Sequence, residues 1–133
     1  MRTLLAAALA AAFASPASQT PRFVGCASFT SATAKGAVRP ASIVVACGDG
    51  NFYLDRLVWS AWGTVARGAG IAHQNDCTPY CAAGHFHAYR ATVRLDRAKM
   101  CAGRPELTRI AWTFVGAKPA HAARSDSETF RCR

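Results

Sequence analysis

The chain has 133 residues, of which 51% are hydrophobic and 17% charged. That balance excludes a disordered chain, and the length leaves room for one ordinary domain rather than several. Sixteen Lys and Arg residues against seven Asp and Glu give a net charge of +9, which favours anionic surfaces and says nothing of fold.

Arg2 precedes an uninterrupted apolar run over residues 4–13. The run is too short to cross a bilayer, which takes roughly 20 apolar residues. It ends in small residues that suit a signal peptidase, so residues 1–17 are predicted to be a signal peptide cut after Ala14 or Ala17. Residues 18–133 then form a single β-rich domain with no transmembrane segment, and the expected location is secreted or extracellular. Cys26 ends a stretch that loosely resembles a lipidation box, but a polar, proline-bearing segment separates it from the apolar run.

Cys26, Cys47, Cys77, Cys81, Cys101 and Cys132 all lie beyond the leader. An even number in a small exported domain predicts three disulfides, which restrain the unfolded chain of a domain with a modest core. Six cysteines allow many pairings. Joining Cys26 to Cys132 would tie the two ends of the mature chain together. Cys77 and Cys81 can join each other, or reach separately to Cys47 and Cys101.

Residues 23–30 can make one short strand, followed by a small-residue loop over 31–40. Ile43, Val44 and Val45 lie in a β-branched run over 42–46, which stops at the turn signal Gly48-Asp49-Gly50-Asn51 and predicts a hairpin with the strand after it. Over 53–62, strict alternation sets Leu57, Trp59 and Ala61 against Arg56, Val58, Ser60 and Trp62, which puts Trp59 and Trp62 on opposite faces. A glycine-spaced strand over 64–72 is expected to bulge or bend at Gly68 to Gly70.

The clearest period-two signal covers 86–95, with Tyr89, Ala91, Val93 and Leu95 facing inward and Arg90, Thr92 and Arg94 outward. Residues 96–105 read as a turn-rich loop carrying Cys101. Thr108, Ile110, Trp112 and Phe114 then form a second inner face opposite Arg109, Ala111 and Thr113. A polar, alanine-rich connection over 116–127 leads to a last short strand over 128–132. Six to seven short strands of this kind predict an all-β, antiparallel β-sandwich, immunoglobulin-like or barrel-like. If its two clear strands are neighbours, Arg90, Arg94 and Arg109 make a positive binding patch.

Several segments resemble uncharacterised small secreted proteins of high-GC actinobacteria. These are Ala46-Cys47-Gly48-Asp49-Gly50-Asn51, Leu57-Val58-Trp59-Ser60-Ala61-Trp62-Gly63, Ala66-Arg67-Gly68-Ala69-Gly70, and Asn75-Asp76-Cys77-Thr78-Pro79-Tyr80-Cys81-Ala82-Ala83-Gly84. The last fits that family's Asn-Asp-Cys-x-Pro-x-Cys-Ala-x-Gly motif, and the likeness extends over residues 42–119. Gly48 stands where the pattern has Ala, and Cys26 and Cys132 fall outside it. The resemblance implies export and one domain and supplies no activity.

Four constellations could carry chemistry. Cys77, Cys81, His85 and His87 supply the donor types of a tetrahedral metal site, although exported cysteines oxidise. Asp49, Asn51 and Asp55 place oxygens in a loop, but the glycine and glutamate of a calcium loop are missing, and a side-chain-stabilised turn explains them. His73, Asp76 and several serines offer catalytic groups without any nucleophile motif to frame them. Thr78, Pro79 and Tyr80, held by Cys77 and Cys81, form a stapled loop of the kind a small protease inhibitor presents. Trp59, Trp62 and Trp112 read as core rather than as a sugar platform. The expectation is therefore a secreted, non-enzymatic domain without a cofactor. Its partner would be an anionic cell-wall polymer or an acidic protein, with no specific nucleic-acid recognition. A protease inhibitor is the alternative, followed by a metal-binding protein or enzyme using Cys77, Cys81, His85 and His87.

Overall fold

A computed structural model describes residues 18–26 and 36–132. The predicted leader lies outside the described residues, as do 27–35, which include much of the first predicted strand. Seven strands follow in chain order: β1 (Arg22–Phe23), β2 (Ile43–Val44), β3 (Phe52–Ala61), β4 (Ala66–Asn75), β5 (Phe86–Cys101), β6 (Arg104–Phe114) and β7 (Ser125–Thr129).

All seven belong to one sheet, ordered β1-β6-β5-β4-β3-β2, with β7 also paired to β6. Every pair is antiparallel except β1 with β6. The sheet curls into a half-barrel, so of the two expected arrangements the barrel-like one is realised, with one mixed sheet in place of two stacked ones. Its concave face holds the core: Leu54, Ala72, Leu95, Leu107 and Ile110 are buried, with Phe52, Trp112 and Phe114 packed ring against ring. Alternation along β5 and β6 produces this directly, since Ala91, Val93 and Leu95 pair with Phe114, Trp112 and Ile110.

The opening of the half-barrel is laced shut by main chain. Phe23 exchanges backbone hydrogen bonds with Ala37, and Leu57 N–H donates to the carbonyl of Ala41. The indoles of Trp59 and Trp62 donate to the carbonyls of Pro40 and Pro21, at 2.8 and 2.9 Å.

Strict alternation fails in β3. The register shifts twice, between Asp55 and Val58 and between Trp59 and Ala61, and Arg56 takes a left-handed conformation with φ 51°. An extra residue at each bulge resets which face the following side chains occupy. Trp59 and Trp62, expected on opposite faces, therefore meet edge to face with centroids 4.9 Å apart. The glycines of β4 are the other half of this device. A Cβ on Gly70 would lie 2.6 Å from the carbonyl oxygen of Asp55, and one on Gly68 would lie 2.8 Å from that of Val58. The bulges thus sit on β3, and β4 supplies the space they lean into.

The loop expected over 96–105 is also replaced. β5 and β6 run on to the pair Cys101 and Arg104, joined by Ala102 and Gly103, both with positive φ. The 16 residues of β5 make it far longer than the short strands expected. The last strand, expected over 128–132, is Ser125–Thr129.

Three disulfides are formed, and the pairing of Cys26 with Cys132 is not among them. Cys26 bonds Cys47, Cys77 bonds Cys81, and Cys101 bonds Cys132. Curling explains the first pair: Cys26 follows β1 and Cys47 follows β2, the strands at opposite ends of the sheet order. Among the described residues, no helix is long and apolar enough to cross a membrane.

Candidate functional site

The outer face of the sheet is built by the residues that alternate with the core. Across β3, β4, β5, β6 and β7 one row reads Val58, Ala69, Thr92, Thr113 and Ser125. The next row sets Arg67 opposite Arg94 and continues through Ala111 to Ser127. The small side chains among these rows leave a shallow open trough of about 720 Å³. Gly68, Ala69, Thr92 and Ala111 line it together with Val58, Arg67 and Arg94. Val58 is 75% exposed, an apolar contact point in the same trough as Arg67 and Arg94.

Below the trough, Asp96 is only 7% exposed and bonds two arginines. It accepts from Arg94 Nε at 2.7 Å, and from Arg109 Nε and Nη2 at 2.8 and 2.7 Å. The Arg109 hydrogen bonds hold the Asp96 carboxyl well below the usual carboxylate range against the opposing pull of burial, with Arg94 adding to them. The same contact raises the Arg109 guanidinium above its ordinary value.

This geometry revises the expected patch. Arg94 and Arg109 are brought together, but on a shared carboxylate that cancels one of their two charges. Arg90 lies four residues up β5, about 13 Å along the strand at strand rise, next to Ile71 of β4. The cation missing from the expected set is Arg67. Among the described residues it makes no ion pair, and only the β4–β5 register places it opposite Arg94. Its exposed position in a glycine-spaced strand gave no clue to that neighbour.

A second polar region lies at the far end of β4 and β5. Asn75, 7% exposed, accepts from Cys77 N–H at 2.9 Å and donates to the Cys81 carbonyl at 2.8 Å. Asp76 accepts from the backbone N–H groups of Thr78 and His85 at 3.1 and 3.0 Å and from His87 Nε2 at 2.9 Å. These bonds, the His85 backbone first, hold its carboxyl well below the ordinary range. The Cys77–Cys81 bond closes a loop in which Thr78, Pro79 and Tyr80 are exposed.

The same bond consumes both thiols of the suggested metal site, so in this state Cys77 and Cys81 offer no thiolate to His85 and His87. Among the described residues no group of three or more His, Cys, Asp or Glu is arranged to hold a metal ion. Asp49 accepts from Asn51 N–H at 3.0 Å, the turn expected there, and that bond lowers its carboxyl. Asp55 instead binds His73 Nε2 at 2.8 Å, and His73 stacks on Tyr53 with centroids 4.6 Å apart.

No protein-family model matches the chain, and neither curated proteins nor solved structures gave a match.

Proposed function

We propose that the chain is an exported, non-enzymatic binding domain that takes an anionic envelope polymer on the outer face of its sheet. The observation carrying this reading is Arg67 directly opposite Arg94 in the lining of the trough. Like charges opposite one another across a sheet destabilise it, and the Asp96 carboxylate that pairs Arg94 already serves Arg109 as well. A run of phosphates or carboxylates laid along the trough would satisfy both guanidinium groups, with the hydroxyls of Thr92 and Thr113 in the neighbouring row. The three disulfides and the resemblance to secreted actinobacterial proteins support export.

The test is retention on purified cell-wall material across a salt gradient, with wall stripped of its anionic polymer as the control. The wild-type domain is expected to bind at low ionic strength and elute near roughly 0.5 M salt, where charge contacts are screened. Replacing Arg67 and Arg94 with Gln together should lower retention about tenfold, each lost contact weakening binding by about 0.7 kcal/mol. Retention unchanged by the double substitution, or equal on stripped wall, refutes the reading.

A second reading has its own observation. The Thr78-Pro79-Tyr80 segment is exposed, closed by a disulfide and fixed by Asn75 and Asp76, so it loses little freedom on binding. As a protease inhibitor it would insert Tyr80, 64% exposed, into a protease pocket. A protease panel with Tyr80→Ala as comparison decides it, and absence of inhibition at micromolar protein ends it.

A further inference from the structure

The three disulfides differ in what else holds their cysteines. Cys26–Cys47 spans 21 residues and joins the two ends of the sheet order, and Cys101–Cys132 spans 31 residues with Cys101 only 1% exposed. Cys77–Cys81 spans four residues, and the 3-10 turn Cys81–Ala83 beside it contains no buried residue. The restraint a disulfide places on the unfolded chain grows with loop length, so this bridge contributes least by that route.

The loop also stays closed by other means. Asn75 alone grips both cysteines, accepting from the Cys77 N–H and donating to the Cys81 carbonyl, and it is itself anchored to Asn51 Oδ1 at 3.0 Å. Asp76 ties the two ends of the segment through Thr78 and His85, and its own N–H donates to the His85 carbonyl. None of these bonds involves sulfur. Breaking the sulfur–sulfur bond therefore leaves the two thiols facing each other on a fixed backbone, where re-closure is an intramolecular step at high effective concentration.

We propose that Cys77 and Cys81 form a reversible dithiol–disulfide couple that exchanges with solvent-borne thiols while the half-barrel stays folded. Cys81 is the more exposed of the two and is the sulfur attacked. An incoming thiolate forms a bond to Cys81 Sγ, the Cys77–Cys81 bond breaks, and Cys77 leaves as a thiolate that takes up a proton. A second thiolate then displaces Cys81 and departs as the mixed disulfide of the two external thiols. Two external thiols are oxidised, and the pair is reduced by two electrons and two protons. Exposed Thr78, Pro79 and Tyr80 flank the sulfur pair and leave the approach open.

The experiment equilibrates the folded protein in reduced and oxidised glutathione at graded ratios, traps thiols with an alkylating reagent, and maps the modified peptides while near-ultraviolet circular dichroism follows the fold. Alkylation is expected at Cys77 and Cys81 first, with the other two bridges intact and the aromatic signal unchanged. Opening of all three bridges together with loss of that signal overturns the proposal, as does opening of Cys77–Cys81 last. The Cys77→Ser variant should capture one glutathione on Cys81 from the oxidised form, and failure to form the adduct counts against the exchange. The double variant Cys77→Ser, Cys81→Ser should melt within a few degrees of the wild type, and failure to fold would make the bridge structural. Asn75→Asp, which exchanges the donor for an acceptor at Cys81, should slow re-oxidation several-fold. An unchanged rate would remove the pre-organisation on which the proposal rests.

Discussion

Cys26 and Cys47 are bonded with their Cα atoms 5.2 Å apart, although they follow the strands at opposite ends of the sheet order. The bond works as a clasp on a sheet that curls into a half-barrel without its two end strands pairing. A 21-residue separation corresponds to about 3 kcal/mol of restraint on the unfolded chain. Replacing both cysteines with Ser should lower the stability of the domain by about that amount, read from the denaturant midpoint. A midpoint unmoved by the double substitution would mean that Trp59, Trp62 and the 36–41 segment close the seam unaided.

Gly70 makes a sharper test of the β3 bulge. A methyl group there would meet the backbone oxygens of Asp55 and Arg56 at 2.6 and 3.3 Å, atoms that cannot swing aside as a side chain can. Gly70→Ala is expected to cost about 2 kcal/mol, in the range of overpacking a filled site. Gly48→Ala is the control, because nothing lies within 4 Å of a Cβ at that position. Equal melting temperatures for the two variants would show that the bulge relaxes freely.

The same bulge marks where reading the chain as strict alternation ceases to work. Over Ala91 to Leu95 and Ile110 to Phe114 the period of two is unbroken, and Ala91, Val93, Leu95, Ile110, Trp112 and Phe114 all face the core as that period requires. β3 carries two extra residues with no glycine or proline of its own to announce them, and the glycines that permit them are on β4. Trp59 and Trp62 change their relation for that reason alone. The cysteine pairing was out of reach for a similar cause, since Cys26 and Cys47 are neighbours only after the sheet has curled. The site followed suit: Arg94 and Arg109 were legible as outward arginines, but their shared Asp96 and the cross-strand partner Arg67 depend on register.

Asp96 and Asp76 dominate the response to acid, with the lowered Asp49 acting in the same sense and Glu106, raised by burial, in the opposite one. Hydrogen bonds hold the Asp96 and Asp76 carboxyls below the ordinary range of about 4, so around that pH the unfolded chain binds protons that the folded one does not. Their stabilisation is complete above the unfolded value and is lost as pH falls toward the depressed folded values. Melting temperature should therefore be flat near neutrality and decline below about pH 4. Asp96→Asn should be less stable at pH 7, and its acid decline should be shallower because part of the loss has already occurred. Parallel melting curves for wild type and variant across that range would remove Asp96 from the account.

The turn between β5 and β6 explains why residues 96–105 read as loop, and it offers a gain of stability. Ala102 and Gly103 take φ 48° and 77°, the pair of positive values that a two-residue hairpin turn of the primed kind requires. Asn-Gly is the sequence that advertises such a turn, whereas Ala at the first position pays for a conformation its Cβ opposes. Ala102 is exposed, so a replacement there disturbs no packing. Ala102→Asn should raise stability by about 0.5–1 kcal/mol, seen as a higher denaturant midpoint at unchanged slope, because Asn enters the left-handed region more readily. Ala102→Val should act in the opposite sense, since a β-branched side chain fits that region worst. If Asn lowers the midpoint and Val leaves it in place, the hairpin does not hold Ala102 at positive φ in solution.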